Sequence, residues 1–338
     1  MSFQQRRQGM FVAAAVLASV MALTAGGQHV PDDARLEALI RARVDSGAAT
    51  GIVVGVLEAD GTRRVAAYGN PGPSAKPLSA KSVFEIGSIT KVFTGTLLAD
   101  MAARGKVSLE DPEQKHAPAT MQIPTRGDKR ITLVDLSTHH SGLRLPSNIA
   151  PADRANPYAD YTAERLGAFL RSHTPARDAG ASFEYSNLGT GLLGFLLANR
   201  AGTDYESLVR ARILEPLGME MTGIQYSPAM TAERAIGLDA SGSPVSGWGF
   251  DVLAGAGGLR SNLDDMLDFL DANVGAPRSA LERAKRMAHE PRRDAVASMR
   301  SPQSSRGSRS SPDRRRSSFC ARSRHKSRSS WRTARARR

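Results

Sequence analysis

Phe84-Glu-Ile-Gly-Ser88-Ile-Thr-Lys91 is the stretch on which the fold of this chain turns. An apolar, strand-like lead-in of Val83, Phe84 and Ile86 runs into Gly87, then a serine, then an apolar helix. Ser88 to Ala103 reads as that helix, with Val92, Leu97, Leu98 and Met101 as its stripe and Gly105 where a C-cap belongs. A serine at the start of a helix and a lysine one turn later share a face. Serine is a poor nucleophile at its ordinary pKa and needs a partner to take its proton. A lysine held in a dry pocket loses its charge more easily and can serve. The helix N-terminus adds partial positive charge where an oxyanion would form. The spacing alone is cheap. Ser323-Arg-His-Lys326 fits it too, and an N-cap serine beside a surface lysine gives the same letters. The strand-glycine-serine-helix context sets Ser88 apart.

About a hundred residues downstream lies Phe183-Glu-Tyr185-Ser186-Asn187-Leu-Gly189, ahead of a nearly all-apolar helix over 188–201. A phenol can relay a proton and a carboxamide can hold a substrate amide. Tyr68-Gly-Asn70 matches the bare pattern as well, so the position ahead of the helix is what counts. Further out, Asp32 to Val44 has Leu36, Leu39, Ile40 and Val44 at helical spacing behind the cap candidates Asp32 and Asp33. Gly51 to Leu57 is β-branched, Asp60-Gly61 is a hairpin signal, and Arg63 to Tyr68 supplies the return strand. Helices are predicted over 163–171, 205–213 and 262–274, the last opened by Asn262 with Asp264 and Asp265 in its first turn. No internal repeat is evident.

Together these motifs, in this order, resemble the serine β-lactamase and penicillin-recognising hydrolase family, of the class C-related kind. Three further blocks agree. Ile131-Thr-Leu-Val-Asp-Leu-Ser-Thr-His-His-Ser-Gly-Leu143, Ile213-Leu-Glu-Pro-Leu-Gly-Met219 and Ala256-Gly-Gly-Leu-Arg-Ser261 with Asp264, Asp265 and Met266 are similar to family stretches, so the likeness spans roughly residues 33–290. It implies an α/β, β-lactamase-like fold: an antiparallel sheet flanked by helices, plus a helical region, with the site between them. It implies that Ser88 attacks a carbonyl and becomes acylated, and that Lys91 and Tyr185 share the proton traffic, with the identity of the base left open. It implies that Asn187 orients the substrate's acyl side-chain amide and that the Ser88 N–H forms half of an oxyanion hole. The substrate would be a β-lactam or a D-Ala peptide-like amide, with a carboxypeptidase or an esterase as the alternatives, and neither metal nor organic cofactor is needed. The family's third motif, Lys/His-Thr/Ser-Gly on a later strand, is not found downstream of residue 261; His140-Ser141-Gly142 has the letters but lies in an earlier block. The expectation is therefore that the C-terminal strands are missing through a reading-frame shift or a chimeric gene model near residues 291–301, which leaves an inactive remnant as a further reading.

Charge supports this division. The 338 residues carry a formal net charge of +13, but residues 291–338 hold 16 Lys+Arg against 2 Asp+Glu. Of the 46 basic and 33 acidic residues, that leaves 30 and 31 before residue 291, a net of −1. The basic character belongs to a Ser/Arg-rich tail expected to be disordered. Such a tail could bind nucleic acid electrostatically, but with Phe319 and Trp331 as its aromatics it offers little stacking, and no nucleic-acid partner is expected. Arg6 and Arg7, an apolar run from Gly9 to Ala25 and the small residues Ala25-Gly26-Gly27 read as a signal peptide over 1–27, with an uncleaved anchor as the rival. The domain is then 28–290, periplasmic or secreted, monomeric and without a membrane partner. The lone Cys320 makes no intramolecular disulfide. His139 and His140 lack a zinc-spaced partner set and are assigned a loop role. There is no Gly-x-Ser-x-Gly elbow and no dinucleotide loop around Gly255.

Overall fold

The computed structural model describes residues 30–293. The proposed signal segment and all but the first three residues of the basic tail lie outside them, as does Ser323. The chain opens with α1 (Asp33–Asp45), β1 (Gly51–Leu57), β2 (Arg63–Gly69) and β3 (Phe84–Glu85). A 3-10 turn, Gly87–Ile89, leads into α2 (Thr90–Ala103), followed by α3 (Leu133–Ser137), α4 (Ala163–Ser172) and α5 (Asn187–Ala201). Then come α6 (Tyr205–Val209), continued by a π-helical turn into α7 (Glu215–Leu217), α8 (Pro228–Ala232), a 3-10 segment Asp251–Ala256, β4 (Arg260–Ser261), α9 (Leu263–Val274) and α10 (Ala280–His289).

β1 and β2 form an antiparallel hairpin in the register Val54↔Ala66, closed by a turn in which Gly61 has φ +87°. The period-2 alternation of strands puts Ile52, Val54, Val56, Ala66 and Tyr68 on one face. That face packs against Leu36 and Ile40 of α1. On the other face Gly55 meets α9 so closely that a Cβ there would lie 2.9 Å from Leu263. Arg63 and Asp268 add an ion pair of 2.6 Å on the same side. The sheet is thus held between two helices, and among the described residues it has two strands.

The main core surrounds α5. Leu188, Leu192, Leu193, Leu196 and Leu197 are fully buried there, in contact with Phe93 and Leu97 of α2 and Leu133 and Leu136 of α3. Two small residues on α5 let the 251–256 segment come unusually close. A Cβ at Gly191 would lie 2.8 Å from the Leu253 side chain, and one at Gly194 would lie 3.0 Å from the Gly255 Cα. β3 and β4 pair as Phe84↔Ser261 and Glu85↔Arg260, which ties the strand before Ser88 to the Ala256–Ser261 block. Among the described residues no helix is long and apolar enough to cross a membrane.

Candidate active site

Three segments distant in sequence converge on Ser88. The first is the Ser88 turn itself. Gly87 has φ +51°, a conformation that costs glycine little, and it turns the chain from β3 into the helix. Thr90 at the head of α2 is fully buried, and its hydroxyl accepts the Leu259 N–H at 3.1 Å. Together with the Ile86 N–H to Leu259 carbonyl bond of 3.1 Å, this pins the start of α2 to the β4 segment. Ser88 is exposed and Lys91, one turn on, is half-buried.

The second segment is the lead-in to α5. Ser186 caps that helix through Gly189 N–H (2.8 Å) and donates its own hydroxyl to the Leu143 carbonyl at 2.7 Å. A cap of this kind contributes about 1 kcal/mol. Here it also fixes the residues on either side, Tyr185 and Asn187. The third segment is 251–256, pressed against α5 by the glycine contacts described above. There the Thr94 hydroxyl donates to the Gly255 carbonyl at 2.7 Å and shares a bond of 2.7 Å with the Tyr205 hydroxyl.

The side chains meet as follows. Tyr185 donates its phenol to Ser88 Oγ at 2.7 Å, and Lys91 Nζ lies 3.1 Å from the same oxygen. Lys91 Nζ also donates to Asn187 Oδ1 at 2.8 Å and to the Ala256 carbonyl at 2.6 Å, and it sits 4.8 Å from the centre of the Tyr185 ring. Burial holds the Lys91 ammonium below the ordinary lysine range, opposed by the neighbouring Tyr185 phenol. All four residues singled out in the sequence are therefore within one hydrogen-bonded cluster. Tyr68 and Asn70, the chance match, lie elsewhere, at the end of β2.

The Ala256 carbonyl was not legible in the letters as a lysine partner, because a backbone oxygen has no letter of its own. The aromatic wall beside it was also unforeseen. Tyr158 stacks on Phe250 at 5.5 Å, Trp248 meets Tyr158 at 5.7 Å, and the tip of the Phe250 ring lies 2.9 Å from where a Cβ of Gly257 would stand. The nearest sequence signal was Gly257 itself, where close approach requires a glycine. The two adjacent histidines go to different partners. His140 Nδ1 is 2.7 Å from the Thr138 carbonyl, while His139 Nδ1 accepts the Ser186 N–H at 3.2 Å. Among the described residues there is no group of three or more His, Cys, Asp or Glu able to hold a metal.

A model of the beta-lactamase family matches residues 36–316. The chain belongs to the beta-lactamase family. It is 34% identical over 227 residues to the D-alanyl-D-alanine-carboxypeptidase/endopeptidase AmpH of Escherichia coli strain K12, covering 66% of this chain and 57% of that one. It is 30% identical over 230 residues to a beta-lactamase of Pseudomonas fluorescens, covering 66% and 60%. Among solved structures, the class C beta-lactamase of Rhodobacter sphaeroides superposes with a TM-score of 0.62 at 28% identity, over 74% of this chain and 68% of that one. These matches bear out the β-lactamase-like fold expected from the motifs. The matched region spans about 57% to 60% of the length of those two curated beta-lactamase-family relatives.

Proposed function

We propose that this chain is a serine hydrolase working through an acyl-enzyme on Ser88, with β-lactams or D-Ala-terminated amides as its substrate class. The observation that carries this is the pair of contacts at Ser88 Oγ, 2.7 Å to the Tyr185 hydroxyl and 3.1 Å to Lys91 Nζ. A neutral lysine has two N–H bonds and one lone pair. Two acceptors, Asn187 Oδ1 and the Ala256 carbonyl, take the two N–H bonds and leave the lone pair facing Ser88. In that state Lys91 takes the Ser88 proton as Oγ attacks the carbonyl carbon. Tyr185 gives its phenolic proton to the leaving nitrogen and is reprotonated by the Lys91 ammonium beside it. Hydrolysis of the ester by water regenerates Ser88. The Asn187 amide group, with no Nδ2 partner among the described residues, is left to bind the substrate's acyl carbonyl.

Within that class a β-lactamase is the first reading and a carboxypeptidase acting on a D-Ala peptide the second, favoured by the name of the Escherichia coli relative. An inactive remnant is a third, favoured by the lack of a Lys/His-Thr/Ser-Gly motif after residue 261. A monomer exported by its 1–27 segment to the periplasm, where such substrates occur, completes the proposal. The test is to offer the full chain and Ser88→Ala a fluorescent penicillin, a chromogenic cephalosporin and a D-Ala-D-Ala peptide. Labelling and turnover abolished in Ser88→Ala support the enzyme, and the preferred substrate separates the first two readings. A folded chain that neither labels nor turns over any of the three sinks them both.

A further inference from the structure

His139 ties down the backbone on both sides of Tyr185. Its carbonyl accepts the Glu184 N–H at 2.8 Å, and its ring Nδ1 accepts the Ser186 N–H at 3.2 Å. The residues before and after Tyr185 are thus both tied to this one side chain and its own peptide. The imidazole also lies against the phenol ring, 4.7 Å between centres, with Phe183 edge-on at 5.6 Å behind it. His139 has φ +63°, a left-handed conformation uncommon outside glycine, though asparagine, aspartate and histidine adopt it more often than other residues. Backbone of that kind persists where surrounding contacts over-determine it.

Because the Ser186 N–H donates to it, Nδ1 must carry no proton. The ring is then neutral, with its hydrogen on Nε2. We propose that His139 is a positioning residue, which as a neutral Nε2–H imidazole holds the Tyr185 phenol over Ser88. This rests on the acyl-enzyme reading of Ser88. The surroundings keep the ring in that state. Burial is the main cause, with Lys91 on α2 and His140 on the same turn adding to it, so His139 takes a proton only at about 4. Tyr185 is the remaining titratable group against the ring. Protonation would put an N–H against the Ser186 N–H and release the segment carrying the phenol.

Two substitutions separate the hydrogen bond from the strained backbone. Glycine and asparagine both accept a positive φ, but only asparagine offers an acceptor close to where Nδ1 sits. Acylation by fluorescent penicillin is followed against pH in the full chain, in His139→Gly and in His139→Asn. His139→Gly is expected to slow acylation about 10²-fold at neutral pH, the cost of a nearby group displaced by about 1 Å. His139→Asn is expected to restore a large part of that loss. The ratio of His139→Asn to unsubstituted rate should rise as pH falls toward about 4, because asparagine does not titrate. A merely structural role would leave that ratio flat. Acylation in His139→Gly equal to that of the unsubstituted chain overturns the proposal.

A second readout does not depend on catalysis. Nitrogen NMR of the histidine-labelled full chain should show His139 with bare Nδ1 and protonated Nε2 from pH 8 down to about 5, above the titration near 4. A protonated Nδ1 at neutral pH overturns the proposal even if the unsubstituted chain never labels, the outcome that instead rejects the acyl-enzyme reading.

Discussion

Lys91 has three neighbours that accept a hydrogen bond: Ser88 Oγ, Asn187 Oδ1 and the Ala256 carbonyl. An ammonium satisfies all three, whereas the neutral amine leaves its lone pair to Ser88. Acylation should therefore rise with pH as Lys91 deprotonates, with a midpoint below the ordinary lysine range because burial disfavours the charge. Pre-steady-state labelling across pH checks this. Lys91→Met should lower the rate by about 10² to 10⁴ and remove that limb, the usual contribution of a positioned base. A Lys91→Met chain that keeps the same pH limb would assign the base to another group. Ser88, Lys91, Tyr185 and Asn187 were legible in the sequence because helix geometry makes the first pair local, the second pair sits ahead of an apolar helix, and both motifs resemble the family's in their order. His139 was read only as a loop residue. Its partners lie about 45 residues away, and nothing in its own neighbourhood announces them.

At the scale of elements, local rules found most boundaries. β1 matches its predicted ends, and α1, β2, α5 and α9 begin or end within one residue of expectation. The predicted helix at 205–213 instead changes to a π-helical turn at Arg210. α10 was missed because its inward face holds little that is apolar: Leu281, Ala284 and the stem of Lys285, whose ammonium lies 4.4 Å over the Phe269 ring. Its signal was the cap, Ser279 with Glu282 three residues later, whose N–H bonds Ser279 Oγ at 3.2 Å. The pairing of β3 with β4 joins segments far apart in sequence and leaves no local pattern. The glycines supply a contrast. Gly194→Val would force a Cβ to 3.0 Å from both the Gly255 backbone and the Tyr205 ring. It should cost about 1–3 kcal/mol in denaturant unfolding and slow acylation by moving the Ala256 carbonyl. Gly95, in the middle of α2, has nothing nearer than 3.7 Å to a Cβ, so Gly95→Ala should stabilise by about 0.4–1 kcal/mol.

For the molecule as a whole, the buried Glu113 and the half-buried His139 respond to acid in opposite ways. Glu113 is fully buried and neither carboxylate oxygen has a partner among the described residues. Burial raises its pKa to about 7 from 4.5. Between those values the folded chain keeps a proton that the unfolded chain gives up, so this group lowers stability as pH rises. His139 has the reverse sign. Its pKa falls from 6.5 to about 4, so the unfolded chain binds the extra proton and stability drops as pH falls through that window. The two trends oppose each other where they overlap. Glu113→Gln should remove the opposing trend, giving unfolding free energies that climb with pH between about 4 and 6.5 more steeply than in the unsubstituted chain. Urea unfolding at a series of pH values measures it, and an unchanged slope would mean that Glu113 is ionised in the fold. None of this required the basic tail, which was legible in composition alone. The proposed chemistry depends on a single bond between substrate and Ser88. Peptide mass mapping of the full chain after brief exposure to a penicillin is the most direct measurement of that bond. An added mass confined to the peptide containing Ser88, lost in Ser88→Ala, is the predicted result. An adduct on any other residue, or a folded chain carrying none, would contradict it.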